Sequence, residues 1–328
     1  MRLILSALAV SFATTTTAQT PDVKAIVDQH ILPGYQALAT ETADLAAAAV
    51  ADCAPDSEAL RVAYNEAFDA WVRVSHLRFG PSETDDRAFA LAFWPDPRGS
   101  TPKALSTLIR DQDPAVETAE AFSTVSVAAR GFYALEFLLY DPQFADSGAY
   151  RCTLTQAIAN DIAANSAAIL GDWEATYATL MSEPGNDTYR TPTEAAQQVF
   201  TALSTGLEFT ADTRMGRPLG TFERPRPNRA EARRSGRSLR HVVLSLEATR
   251  ELAALISDQD DAVDQAFADA LDRAKGLDDP VFAGVADPQT RFPIDVLQTR
   301  ITSIRRLLAE EIGPELGVTA GFNSLDGD

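Results

Sequence analysis

The stretch Arg130-Gly131-Phe132-Tyr133-Ala134-Leu135-Glu136-Phe137-Leu138-Leu139-Tyr140-Asp141 is where the chain gathers groups able to do chemistry. Tyr133 and Glu136 are three residues apart, so on a helix a phenol and a carboxylate share one face. Phe132, Leu135, Leu138 and Leu139 mark an apolar stripe directed at a core. A carboxylate beside such a stripe needs a partner. One reading is an ion pair with Arg130 or Arg78 that fixes helix packing. The other is a metal or polar-ligand site.

A second feature is cationic. Nine arginines, from Arg214 to Arg240, crowd into fewer than thirty residues of a chain whose formal charge is -19. Planar guanidinium groups grip carboxylates and phosphates in pairs of hydrogen bonds, so Arg217, Arg224 and Arg226 are candidates to bind an anion. The competing expectation is that these arginines pair with the abundant Asp and Glu of the first half. The acidic balance excludes a nucleic-acid surface.

Familiar catalytic patterns are absent. None of His30, His76 or His241 sits in an H-E-x-x-H arrangement, and there is no G-x-S-x-G, G-x-G-x-x-G or Walker-type loop. Three histidines limit any imidazole-rich metal cage, leaving oxygen ligands from Asp, Glu and Tyr, which suit hard cations.

The elements that must position these groups are helical. The spacing predicts a helix from Asp22 to about Cys53 interrupted at Pro33-Gly34, and a second from about Ser57 to Leu77. Another starts at Thr101-Pro102, and a long one runs from near Pro114 to just before Pro142. Thr153 to Met181 stays helical, and Ser182-Glu-Pro-Gly-Asn-Asp187 is the best break in the chain. Thr191-Pro192-Thr193-Glu194 is a capping box that starts the second half. Arg214 to about Asn228 is expected to be mostly loop, followed by helices over Ser235–Ile256, Asp258–Lys275 and Pro293–Ile312. No period-2 strand is evident. The fold class is therefore all-α, with two helical bundles covering residues 19–185 and 186–328.

The N-terminus carries Arg2, an apolar run from Leu3 to Ala13 and small residues ending at Ala18, the three-part pattern of a signal peptide over residues 1–18. The run is about half of the ~20 residues a spanning helix needs, so a membrane-embedded body is not expected. The implied destination is the periplasm. Cys53 and Cys152 are the two cysteines, an even pair whose default reading in an oxidising compartment is a disulfide. Unpaired or metal-binding thiols are the alternative.

Five blocks then occur in order: Arg78-Phe79-Gly80-Pro81, Phe93-Trp94-Pro95-Asp96, Gly131 through Leu139, Gly216-Arg217-Pro218-Leu219-Gly220, and Leu316-Gly317-Val318 with Gly321-Phe322-Asn323. Together they resemble the imelysin-like family across nearly the whole mature chain. The resemblance implies an exported bacterial protein of two helical bundles, linked to iron acquisition and historically classed as a metallopeptidase. The family signature is G-x-H-x-x-E, its His and Glu taken as metal or functional residues. Gly131 and Glu136 match it, but Tyr133 stands in place of the histidine.

The implied site is therefore degenerate: Glu136, Tyr133, Asp96 and His76 are the ligand candidates, supported by Arg78, Trp94 and Gly131. A phenol binds ferric iron as phenolate but is a poor zinc ligand. His76 supplies the absent imidazole if its helix packs against Glu136. Asp96 is either a third ligand or a helix cap. The expected function is a periplasmic binding or accessory protein in metal, above all iron, acquisition, whose partner is a metal ion, siderophore, haem-like ligand or envelope protein. The alternatives are a metal-dependent peptidase and a non-catalytic interaction module.

Overall fold

The computed structural model describes residues 20–145 and 148–318. The signal segment 1–18 and the Gly321-Phe322-Asn323 block lie outside the described residues. Among the described residues there is no strand, only an isolated bridge between Thr221 and Arg224, and the rest is helix, turn and link.

The longer helices are α1 (Leu32–Ala51), α2 (Glu58–Val74), α3 (Ser100–Asp111), α4 (Gly131–Tyr140), α5 (Gly148–Asp172), α6 (Pro192–Glu208), α7 (Ser238–Ile256), α8 (Asp261–Lys275) and α9 (Pro288–Leu307). In the first half α1 packs on α2 and α5, and α4 lies against α5 and α3; in the second, α7 packs on α6 and α8, and α9 covers both of these. Helix α7 also packs on α2, so the halves meet there. Their buried apolar side chains form one continuous core. No helix among the described residues is long and apolar enough to cross a membrane.

Helix starts follow local chemistry. Ser57 caps α2, accepting from Leu60 N, and Thr191 Oγ1 caps α6, accepting from Glu194 N at 3.2 Å. Glu194 reaches back to Arg190 N at 2.7 Å, one residue before the cap.

Two expectations about helix continuity fail for identifiable reasons. No break occurs at Pro33-Gly34. A wide π turn, Val27–Ile31, leads straight into α1, and its i→i+5 spacing absorbs a proline that has no N–H to donate. The helix predicted from Pro114 to Pro142 is instead divided into Pro114–Glu117, Ala119–Ser123, Val127–Ala129 and α4. Arg130 is extended and Gly131 has φ +73°. A Cβ at Gly131 would stand 2.3 Å from the carbonyl oxygens of Ala90 and Leu91. Only glycine lets the first turn of α4 approach that backbone, and this conformation separates α4 from the preceding turn.

Cys53 and Cys152 are disulfide-bonded, tying the residues just after α1 to the start of α5 across a sequence separation of 99. No free cysteine remains.

Candidate functional site

Helix α4 presents Tyr133 and Glu136 where the two halves meet, but the two side chains have different partners. The Tyr133 hydroxyl donates to Glu231 Oε1 in a short hydrogen bond. Glu136 Oε1 accepts from the backbone N and the Oγ of Ser235, at 2.9 and 2.8 Å. Both acceptor and donors come from the segment before α7, about a hundred residues away in the chain.

Glu231 is the hub. Arg214 Nε donates to its Oε2 at 2.8 Å, and His241 Nδ1 lies 3.2 Å from the same oxygen. Arg214 itself spreads to Ser75 Oγ at 3.1 Å, at the end of α2, and to Thr210 Oγ1 at 3.4 Å. The sequence predicts a loop at Arg214. The residue sits instead on a π turn, Phe209–Met215, that prolongs α6 and turns the guanidinium inward. Phe68 closes the cluster, its ring stacked on Phe132 at 4.7 Å and edge-on to both Tyr133 and His241.

The electrostatics follow from burial. Desolvation alone would raise the Glu231 carboxyl, but Arg214, His241 and the Tyr133 hydrogen bond outweigh it and hold it down at about 2. Burial, with Glu231 beside it, pushes Tyr133 well above the ordinary phenol range, so it stays a neutral donor. Burial lowers His241 to about 4, against the pull of Glu231. Glu136 is raised by desolvation, which the Ser235 hydrogen bonds and Arg234 oppose.

The remaining candidates are dispersed. His76 does not approach Glu136. It is buried with its Nε2 3.0 Å from Nε2 of His30, and burial, then His30 and Arg214, hold its basicity well below normal. Arg78 is not Glu136's partner either; it grips Glu83 through Nε at 2.6 Å. Arg130, the other suggested partner, forms a two-pronged pair with Asp161. Asp96 spends both oxygens on the N–H groups of Ser100 and Thr101, each at 2.8 Å, and so acts at the start of α3.

The structure gives these candidates separate partners rather than one shared point. Tyr133 is an un-ionised donor to a carboxylate, Asp96 is a cap, Glu136 is bound to Ser235 and His76 belongs to another cluster. Among the described residues no group of three or more His, Cys, Asp or Glu is placed to hold an ion.

Tyr133, Glu136 and Asp96, but not His76, line a cavity of about 270 Å³, walled by residues of the 93–102 stretch, by Tyr133, Glu136 and Phe137 of α4, and by Arg217 and residues of the 228–234 segment. Trp94 lies nearly parallel to Tyr133, ring centroids 6.2 Å apart, and the Arg217 guanidinium stands 5.7 Å over its indole. Arg224 and Arg226, both exposed, do not line it. A larger cavity of about 420 Å³ lies between α5 and the Val116–Ser123 turns; of its charged residues Arg130 and Asp161 already satisfy each other, leaving Glu117 at its edge.

Residues 31–308 match the family model described as Imelysin. The chain belongs to the imelysin family. It is 23% identical over 321 residues to iron-regulated protein A of Synechococcus elongatus, covering 89% of this chain and 85% of that protein. An imelysin-like protein from Psychrobacter arcticum has the same fold, with a TM-score of 0.78 at 20% identity, spanning 96% of this chain and all of that one. A putative iron-regulated protein A precursor from Parabacteroides distasonis aligns with a TM-score of 0.71 at 13% identity, over 90% of this chain and 96% of its own. The all-α imelysin-like fold expected from the five ordered blocks is thus the one observed.

Glu231, Arg214, His241 and Ser235 were not picked out as site residues from sequence. One signal was present for Glu231. It is the single acidic residue between Arg224 and Arg240, and a lone carboxylate in such a run is the natural counter-ion for buried arginine.

Proposed function

We propose that this imelysin-family protein is an exported, periplasmic binding protein of iron acquisition and that it does not cleave peptides. The observation that carries the second half is the closed Tyr133–Glu231–Arg214 cluster at the place where the signature has histidine. A peptidase of this type would need an imidazole and a carboxylate free to face one ion. Here the phenol donates its hydrogen bond to Glu231, and the imidazole of the cluster, His241, is buried against Phe68. The relative named iron-regulated protein A supports the link to iron. The Arg2-to-Ala18 segment, the Cys53–Cys152 bridge and the neighbour titled a precursor support export.

The test pairs two measurements on purified protein. Unfolded casein, incubated with and without added zinc and chelator, is expected to remain intact; chelator-sensitive cleavage would restore the peptidase. Titration with ferric iron as a soluble chelate is expected to give saturable binding, and its absence would remove the iron link. Tyr133→His is expected to gain no zinc affinity tighter than micromolar, because Glu136 stays on Ser235 and His76 on His30. Tight zinc binding by that variant would show that the site is one substitution from a metal centre.

A further inference from the structure

The nine arginines from Arg214 to Arg240 divide into three sets: four in ion pairs, Arg224 and Arg226 exposed away from the cavity, and three on the cavity wall. Arg214 pairs with Glu231, Arg234 with Asp141, and Arg237 and Arg240 with Asp69. Arg217, Arg229 and Arg233 have no carboxylate within 4.0 Å among the described residues, and all three line the 270 Å³ cavity. Like charges held together without a counter-ion are unfavourable unless something anionic joins them. Here the arrangement is built rather than incidental. Arg217 is half-buried over the Trp94 indole, and its Nε is enclosed with no acceptor. Burial and the neighbouring Arg229 and Arg226 all act to discharge it.

The two acidic groups on the same walls have other hydrogen-bond partners and are outnumbered by the guanidiniums. Asp96 is held by the N–H groups of α3 and Glu136 by Ser235. Arg234 adds a fourth guanidinium, stacked 3.6 Å over the Phe137 ring and tied to Asp141. In a chain of net charge -19 the cavity is therefore a local island of opposite sign. Its volume, about 270 Å³, is just below the ~300–1,000 Å³ of small-molecule pockets, which suits a compact solute rather than a polymer or a macrocycle.

We propose that this cavity binds a small molecule bearing two or more carboxylate or phosphate groups, gripped by Arg217, Arg229 and Arg233 with Trp94 beneath it. The proposal rests on the iron-acquisition reading in one respect only: it makes the cargo an anionic chelate of ferric iron instead of the bare ion. Each guanidinium offers two parallel donors to an oxyanion, and Arg217 is held in place by Trp94 before the ligand arrives.

The experiment is calorimetric titration of the disulfide-intact protein with citrate, inorganic phosphate and ferric citrate, at low and high salt. Saturable binding of citrate or phosphate is expected, weakened at least tenfold in Arg217→Gln and in Arg229→Gln but unchanged in Arg224→Gln. Arg229 is exposed, so its variant is expected to keep the wild-type melting temperature, which separates loss of binding from loss of fold. Preference for citrate assigns a polycarboxylate and preference for phosphate a phosphorylated ligand. No saturable heat with either anion into the millimolar range overturns the site, and so does an equal loss in Arg224→Gln, which would reveal diffuse charge. Ferric citrate bound no more tightly than citrate leaves the anion site standing and overturns the iron reading.

Discussion

Replacing Arg214 by methionine tests the buried hub most directly. Arg214 and Glu231 side chains are 4% and 2% exposed, so neither charge has water to fall back on. The variant keeps the aliphatic stem but leaves Glu231 with a phenol donor and a neutral imidazole. Breaking one side of a buried ion pair costs about 3–5 kcal/mol, most of it the strandedness of the surviving charge. The Glu231 carboxyl, now near 2, must rise once the largest of the groups opposing its desolvation is gone and only the Tyr133 and His241 contacts remain. The loss is therefore largest at neutral pH and shrinks as acid neutralises Glu231.

Combining Arg214→Met with Glu231→Leu and Tyr133→Phe removes both charges and the phenol that would lack an acceptor. Most of the stability is expected to return, because apolar replacement of an entire buried pair is near neutral. Urea unfolding followed by circular dichroism and by tryptophan fluorescence gives both numbers, with coincident curves showing a single transition. A cost below about 1 kcal/mol for Arg214→Met, the scale of a surface pair, would refute the claim that the hub is sealed.

Acid destabilisation should begin unusually early. His30 and His241 are each lowered to about 4 by burial, so both are neutral in the fold and take up protons more readily when unfolded. Their contribution is intact above about 6.5, the unfolded value, and is lost as pH falls towards 4, on the order of 3 kcal/mol for each; urea midpoints at pH 7, 5.5 and 4 measure it, and a flat profile in that window would contradict the neutral assignment. Glu231 adds a second loss between about 4.5 and 2, because its folded value is the depressed one. The disulfide closes a loop across a separation of 99 residues, so Cys53→Ser with Cys152→Ser is expected to lower stability by up to ~4–5 kcal/mol. The denatured but unreduced wild type should show no titratable thiol.

Much of the fold was legible because it is local. The apolar repeat along α2, and the Thr191-Pro192 start of α6 with Glu194 in its first turn, are properties of neighbours in the chain. What misled was backbone that departs from α geometry: the π turn before Pro33, and Gly131 splitting an otherwise unbroken apolar run. The site was legible by half. Tyr133 and Glu136 declared themselves as a pair on one helix face, but their partners lie 98 and 99 residues further on. No periodicity reaches that far, so His76 and Arg78 were assigned to a site they do not join. For the arginines, composition revealed the cluster, and only packing could sort the ion-paired members from those lining the cavity.

The hub also keeps a record of synthesis. Ser75, Tyr133, Arg214, Glu231 and His241 meet only when the chain is complete as far as α7. A fragment ending at the link near residues 183–191 has Tyr133 but neither its acceptor nor the arginines of the cavity wall. For a chain made from its N-terminus, the binding surface therefore cannot exist before the segment leading into α7 has been made and has met α4, and any ligand taken up there reports that this meeting has occurred.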